Sequence, residues 1–208
     1  MVLLAAFDVL LYRYTYQTDI VVGTAIANRN RRETEPLMGF FVNMVVMRTD
    51  LNGNPRFREL LQRVKQMTLA AYHHQDVPFE QIIEMLQPQR SLNRSPLYQV
   101  EFTLQNAPLE PLQTRDLTFT PVNVQPDSSE TDLNLMMSEN SNGLAGEIIY
   151  STDLFDAATI ERMADHFQTL LQGIVEEPQR RIDELSLTTN TEAQSLLARW
   201  AGATSAGS

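Results

Sequence analysis

Two apolar runs, DIVVGTAIA (19–27) and GFFVNMVVMR (39–48), constrain this chain more than any other feature. Neither alternates polar with apolar residues. Strands of that kind are buried on both faces, so the fold must supply covering layers on each side of a sheet. The covers are legible nearby. MVLLAAFDVLLYRY opens the chain as a helix apolar almost all round. After the NGNP turn (52–55), Phe57, Leu60, Leu61, Val64, Met67 and Ala71 recur at helical spacing. Phe79, Ile82, Ile83 and Leu86 mark a short second helix. Asp156 is placed to cap a long one carrying Ile160, Met163, Phe167, Leu170, Leu171 and Ile174, which ends near Glu177-Pro178.

Further strands read differently. In LYQVEFTLQ (97–105), Tyr98, Val100, Phe102 and Leu104 point one way, and Gln99, Glu101, Thr103 and Gln105 the other. A Pro-containing excursion (107–126) precedes two hairpin strands, 131–138 and 144–151, joined by the NSNG turn. Thr191 and Gln194 form a capping box for a last short helix to Trp200, and the tail GATSAGS reads as flexible linker. The pattern predicts an α+β fold, a mixed or mostly antiparallel sheet packed by helices.

Several function classes fall away. The opening run lacks a basic n-region and a small-residue cleavage site, carries Asp8 inside it, and is too short to span a bilayer. A core helix starting at the first residue predicts that the chain was cut from something longer. A net charge of −10 argues against nucleic acid or an anionic membrane as partner. Arg29, Arg31 and Arg32, beside Glu33 and Glu35, read as a solvated loop rather than a phosphate site. Zero cysteines rule out disulfides, thiolate ligands and a cysteine nucleophile, and fit a cytoplasmic, reducing location.

HHQDVPFE (73–80) invites a catalytic or metal reading, because two of the three histidines stand beside an aspartate. Helical phase argues otherwise. If the Phe57–Ala71 stripe faces inward, His73 lies about 160° away, toward solvent, and His74 on the flank. Gln75 and Asp76 then close one helix. Asp76 is placed to cap the next by accepting from the Phe79 N–H, since Pro78 has no donor. A zinc site would need ligands at i, i+4 or a third donor; the remaining histidine, His166, lies on the flank of a distant helix. No G-x-S-x-G, Walker or dinucleotide-binding motif occurs. Asn43, inside an apolar strand, must find hydrogen-bond partners. It reads either as a structural amide bonded to a neighbouring loop or as an amide lining a polar channel.

Three stretches, in order, resemble one family: the condensation domains of nonribosomal peptide synthetases. MGFFVNM (38–44) is similar to their [IV]-G-x-F-V-N-T, and HQDVPFE (74–80) to their H-Q-D-x-P-F-E. RSLNRSPL (90–97) resembles, altered, their R-D-x-S-R-N-P-L. Met44 stands where that pattern has Thr, and Ser91, Asn93 and Ser95 where it has Asp, Ser and Asn. DIVVGTAIANR, the 152–174 helix region and LTTNTEAQSLLARW also look like this family.

The resemblance implies a chloramphenicol-acetyltransferase-like lobe, one of two that enclose a tunnel. Residues 1–187 would be the C-terminal subdomain, and 188–208 the exit toward an adenylation domain. Gly39, Phe41, Asn43 and Arg94 would line the substrate channel. His74, Gln75, Asp76, Pro78, Phe79 and Glu80 would form a structural motif. No cofactor or metal would be bound directly; the phosphopantetheine arms of donor and acceptor carrier proteins would be the substrates. The family's reacting motif, H-H-x-x-x-D-G, belongs to the N-terminal lobe. In that register Pro78 and Phe79 stand where Asp and Gly are required, so His73-His74 is a false match. The implied chain is half a peptide-bond-forming domain, inactive alone. It would depend on the N-terminal lobe, the carrier proteins and the adjacent adenylation domain, and an exposed apolar face would favour self-association. The alternatives are a noncatalytic docking module or half of an epimerising relative.

Overall fold

A computed structural model describes residues 1–88, 95–105, 112–120, 122, 129–140, 143–189, 192 and 194. In chain order the elements are α1 (Val2–Thr15), β1 (Asp19–Ile26), β2 (Asn43–Asp50), α2 (Phe57–His73), α3 (Phe79–Leu86) and β3 (Val100–Gln105). They continue with β4 (Leu112–Gln113), β5 (Thr118–Phe119), β6 (Leu133–Asn140), β7 (Gly143–Tyr150) and α4 (Ala157–Glu176). The chain divides into two compact units. One comprises Met1–Ile20, Arg48–Ala70 and the described part of Ala157–Ser208; the other comprises Val21–Met47 and Ala71–Asp156.

The first unit is helical. α1 buries every residue from Leu4 to Leu11, as its all-round apolar character requires. Phe7 meets Phe167 of α4 edge to face, ring centroids 6.3 Å apart. Phe57, Leu60 and Val64 of α2, and Ile160, Met163, Leu170 and Ile174 of α4, complete the core with Ile182 and Leu185. α1 ends on Tyr16 in the left-handed conformation, φ 57°, its N–H returning to the Tyr12 carbonyl at 2.7 Å.

A five-stranded sheet in the order β2-β1-β3-β6-β7 belongs to the second unit apart from Asp19–Ile20 of β1 and Arg48–Asp50 of β2. It is mixed: β1/β3 and β3/β6 are parallel, and β6/β7 is an antiparallel hairpin running from Leu133↔Tyr150 to Asn140↔Gly143. The hairpin strands are shifted by one or two residues from the sequence expectation, and Ser141 and Asn142 of the expected turn lie outside the described residues. β4 and β5 pair separately.

Two expectations need correction. The second apolar run does not form a strand from residue 39, nor is it buried on both sides. β2 begins at Asn43, and as an edge strand it buries only alternate residues, Val45, Met47 and Thr49, leaving Arg48 and Asp50 exposed. Residues 38–42 stay outside it: the Gly39 carbonyl accepts from the Arg29 guanidinium at 3.2 Å, Met38 is fully exposed and Phe40 90% exposed. α3 carries the expected apolar stripe but buries none of it completely, with Met85 and Leu86 exposed. The capping box expected from Thr191, and the helix to Trp200, lie outside the described residues apart from Glu192 and Gln194, which are helical.

Candidate functional site

The HHQDVPFE stretch is the junction between α2 and α3. His73 ends α2, and turns through Ala71–His74, Tyr72–Gln75 and His74–Val77 lead to Pro78. Both histidines are exposed, their rings edge to face with centroids 5.0 Å apart. Among the described residues no three His, Cys, Asp or Glu side chains converge as a metal site.

Asp76 does not cap α3. Its Oδ1 accepts from the Asn30 side-chain amide at 3.1 Å. The orphan Phe79 N–H donates instead to Oδ1 of Asn43, at 3.2 Å. The same amide donates its two hydrogens to the carbonyls of Gln75 and Val77, each at 2.8 Å. A side chain 36 residues away in sequence thus supplies what the local aspartate was expected to supply. Asn43 thus finds its hydrogen-bond partners in a neighbouring loop, with both donors and its acceptor used. Pro78, with φ −59°, precedes the helix and lacks an N–H, so Phe79 carries the first donor that needs a cap. Glu80 follows in the first turn, where the helix dipole favours a carboxylate.

Arg29 organises the loop leading into Asn43. Its guanidinium donates to the carbonyls of Thr34, Leu37 and Gly39, the latter two at 2.7 and 3.2 Å, and lies 4.2 Å from the centre of the Phe41 ring. The reading of all three arginines as solvated therefore holds for Arg31 and Arg32, which are exposed, and fails for Arg29. Gly39 adopts φ +156°, and a Cβ there would approach the Phe41 ring to 3.2 Å. Arg94 lies outside the described residues.

The junction rests on the sheet through Phe79, whose ring stands 5.7 Å from that of Tyr98. Tyr98 in turn lies against Gly23 of β1, where a Cβ would fall 2.5 Å from its ring. Burial, with the Glu101 carboxylate beside it, pushes the Tyr98 phenol up to about 12. Burial also raises Glu101, assisted by the charge of Glu130, while Glu101 accepts from the Asn134 amide at 3.0 Å. Sequence reasoning passed over Asn30, Tyr98, Glu101 and Asn134. Glu101 stands half-buried on β3, which runs between β1 and β6.

The family described as Condensation domain matches residues 1–197. A linear gramicidin synthase component from Brevibacillus parabrevis is 47% identical over 202 residues, 96% of this chain but only 3% of that protein. The X-domain solved in complex with OxyB from teicoplanin biosynthesis superposes with a TM-score of 0.79 at 33% identity, covering 91% of this chain and 42% of that one. A four-domain nonribosomal peptide synthetase bound to AMP and glycine gives a TM-score of 0.84 at 28% identity, over 92% of this chain and 16% of that one.

Proposed function

Because the chain belongs to the condensation-domain family, we propose that it is the C-terminal lobe of such a domain, contributing tunnel wall and carrier-docking surface to amide-bond formation. The observation that carries the reading is the Asn43 clamp. It joins the MGFFVNM stretch to the HQDVPFE stretch through three hydrogen bonds, so two family motifs form one structural piece. Gly39, Phe41 and Asn43 line the substrate channel in this reading, with Arg94 near it, and Gln75, Asp76 and Pro78 maintain the junction behind them.

The chemistry joins two thioester-bound substrates on the phosphopantetheine arms of carrier proteins. The acceptor amine attacks the donor thioester carbonyl, the C–N bond forms and the C–S bond breaks. The amine's proton ends on the released thiol. The histidine that positions or deprotonates the amine belongs to an H-H-x-x-x-D-G motif, which does not occur in these 208 residues. This chain therefore shapes the site without supplying its base, and an adenylation domain follows it.

Mixing the chain with a lobe that carries the histidine motif, together with loaded donor and acceptor carrier proteins, tests this reading. Dipeptide on the acceptor arm, seen by mass spectrometry only in the full mixture, is expected. No product from the mixture counts against the assignment, and product from this chain alone overturns it. Leu37, Met38, Phe40 and Val42 form an exposed apolar run that fits a covered face, so the lone chain self-associates. A strict monomer in size-exclusion chromatography at high concentration contradicts that part.

A second reading has its own support. The X-domain neighbour, of which this chain covers 42%, was solved in complex with OxyB, which favours a docking role. An in-frame upstream lobe with the histidine motif supports the first reading, and its absence the second.

A further inference from the structure

His166, the histidine that the sequence leaves on a helix flank, is 9% exposed and central to a contact that the proposed chemistry does not use. Its Nδ1 lies 2.8 Å from the Tyr14 hydroxyl at the end of α1. Its Nε2 lies 3.3 Å from Oε1 of Glu192, 26 residues further along the chain. All three belong to the helical unit.

The proton positions follow from the partners. The Glu192 carboxylate can only accept, so the contact on that side needs a hydrogen on Nε2, and Nδ1 of that tautomer accepts from the Tyr14 hydroxyl. One tautomer of the neutral ring satisfies both contacts.

The chain between α4 and Glu192 is held at earlier points as well. The Phe57 N–H donates to the Arg180 carbonyl at 3.0 Å, and the Ile182 N–H to that of Pro55 at 3.1 Å. Arg13, one residue before Tyr14, donates to the carbonyls of Ile182 and Leu185, whose side chains are fully buried. The Thr189 hydroxyl accepts the Glu192 N–H at 3.2 Å, which turns the carboxylate-bearing residue into the start of a helical turn. Glu192 is the outermost of these anchors, with a side chain 29% exposed against 11% for His166.

We propose that Tyr14, His166 and Glu192 form a hydrogen-bond latch that docks the exit segment of the chain onto helices α1 and α4. The latch fixes where Glu192 sits against these two helices, and it stands on these contacts rather than on the proposed family role.

Hydrogen–deuterium exchange on the 208-residue chain tests it. Glu192→Lys removes the acceptor and places a cation opposite Nε2–H. Exchange of the peptide spanning 186–195 then accelerates about tenfold, while peptides from the cores of α1 and α4 keep their protection. Glu192→Gln keeps an acceptor and retains most of the wild-type protection. Tyr14→Phe frees the tautomer and gives an intermediate acceleration. Unchanged exchange in Glu192→Lys overturns the latch, as does an acceleration spread equally over the whole unit. Because the measurement needs no carrier protein or product, it can succeed where the peptide-forming assay fails, and the reverse.

Discussion

Asn43 and Phe79 are 36 residues apart, yet the side-chain oxygen of one caps the peptide N–H of the other at 3.2 Å. Through this bond the first residue of an edge strand decides where a helix begins. Replacing Asn43 by Ala removes the cap and leaves the Gln75 and Val77 carbonyls without their donors. A loss of about 2–4 kcal/mol is expected, since each half-buried polar group left unpaired costs about 1 kcal/mol or more. Asn43→Asp keeps the acceptor but sets a carboxylate against two carbonyls, so it should be no better. Urea denaturation and amide exchange over 74–86 check both; an Asp variant as stable as the parent contradicts the clamp.

Arg29 makes a parallel prediction for the loop. Its planar fork reaches the carbonyls of Thr34, Glu35, Leu37 and Gly39 and stacks on Phe41, a combination that a lysine ammonium cannot reproduce. Arg29→Lys should therefore loosen residues 30–42 almost as much as Arg29→Ala. Trypsin cleavage after Arg31 and Arg32 should accelerate severalfold in both variants, with global stability changed by no more than about 1 kcal/mol. Equal cleavage rates in Arg29→Lys and wild type remove the loop-organising role.

These two residues also mark how far the sequence could be read. Among the described helices, α2, α3 and α4 followed from the spacing of apolar residues, because helical burial repeats every three or four positions, and α1 followed from a continuous apolar run that is buried all round. The helix junction in HHQDVPFE was legible for the same reason, since Pro78 and the phase of His73 are local. What closes that junction was not. Asp76 satisfied every short-range rule for a cap, and only the approach of β2 makes Asn43 the better-placed acceptor. Arg29 was equally opaque: its neighbours Arg31 and Arg32 are exposed, and nothing in NRNRRE distinguishes the one that turns inward. The apolar stretch 38–42 misled in the opposite sense, since an exposed apolar run and a buried strand share one composition.

Gly23 carries a prediction about packing. A methyl group there would lie 2.5 Å from Tyr98, a ring already held by Phe79 on its other contact. Gly23→Ala should destabilise by about 1–3 kcal/mol, the usual result of overfilling a packed site. In a Tyr98→Leu background the added methyl has room, and its cost should shrink. A double-mutant cycle by thermal or chemical unfolding measures the difference, and equal costs in both backgrounds would contradict the contact.

Asp8 sets the expected pH dependence. It lies inside α1, 1% exposed, and neither carboxyl oxygen has a hydrogen-bond partner among the described residues. Burial pushes its pKa from the ordinary 3.8 up to about 8; the Thr49 hydroxyl beside it pulls the other way without closing a bond of good geometry. The folded chain therefore keeps a proton that the unfolded chain has lost between those two values. Where the native state binds more protons, stability falls as pH rises, by at most about 1.4 kcal/mol per pH unit. The contribution of Asp8 is fully present below about pH 4, declines across the window and is lost by about pH 8. Asp8→Asn keeps the size of the side chain and removes its titration. The variant should be more stable than the parent at pH 8, and the gap should narrow steadily toward pH 5. Denaturation midpoints of the two proteins, taken at each pH from 4 to 9, provide the comparison. Parallel curves would mean that Asp8 is not the buried acid that this helix contains.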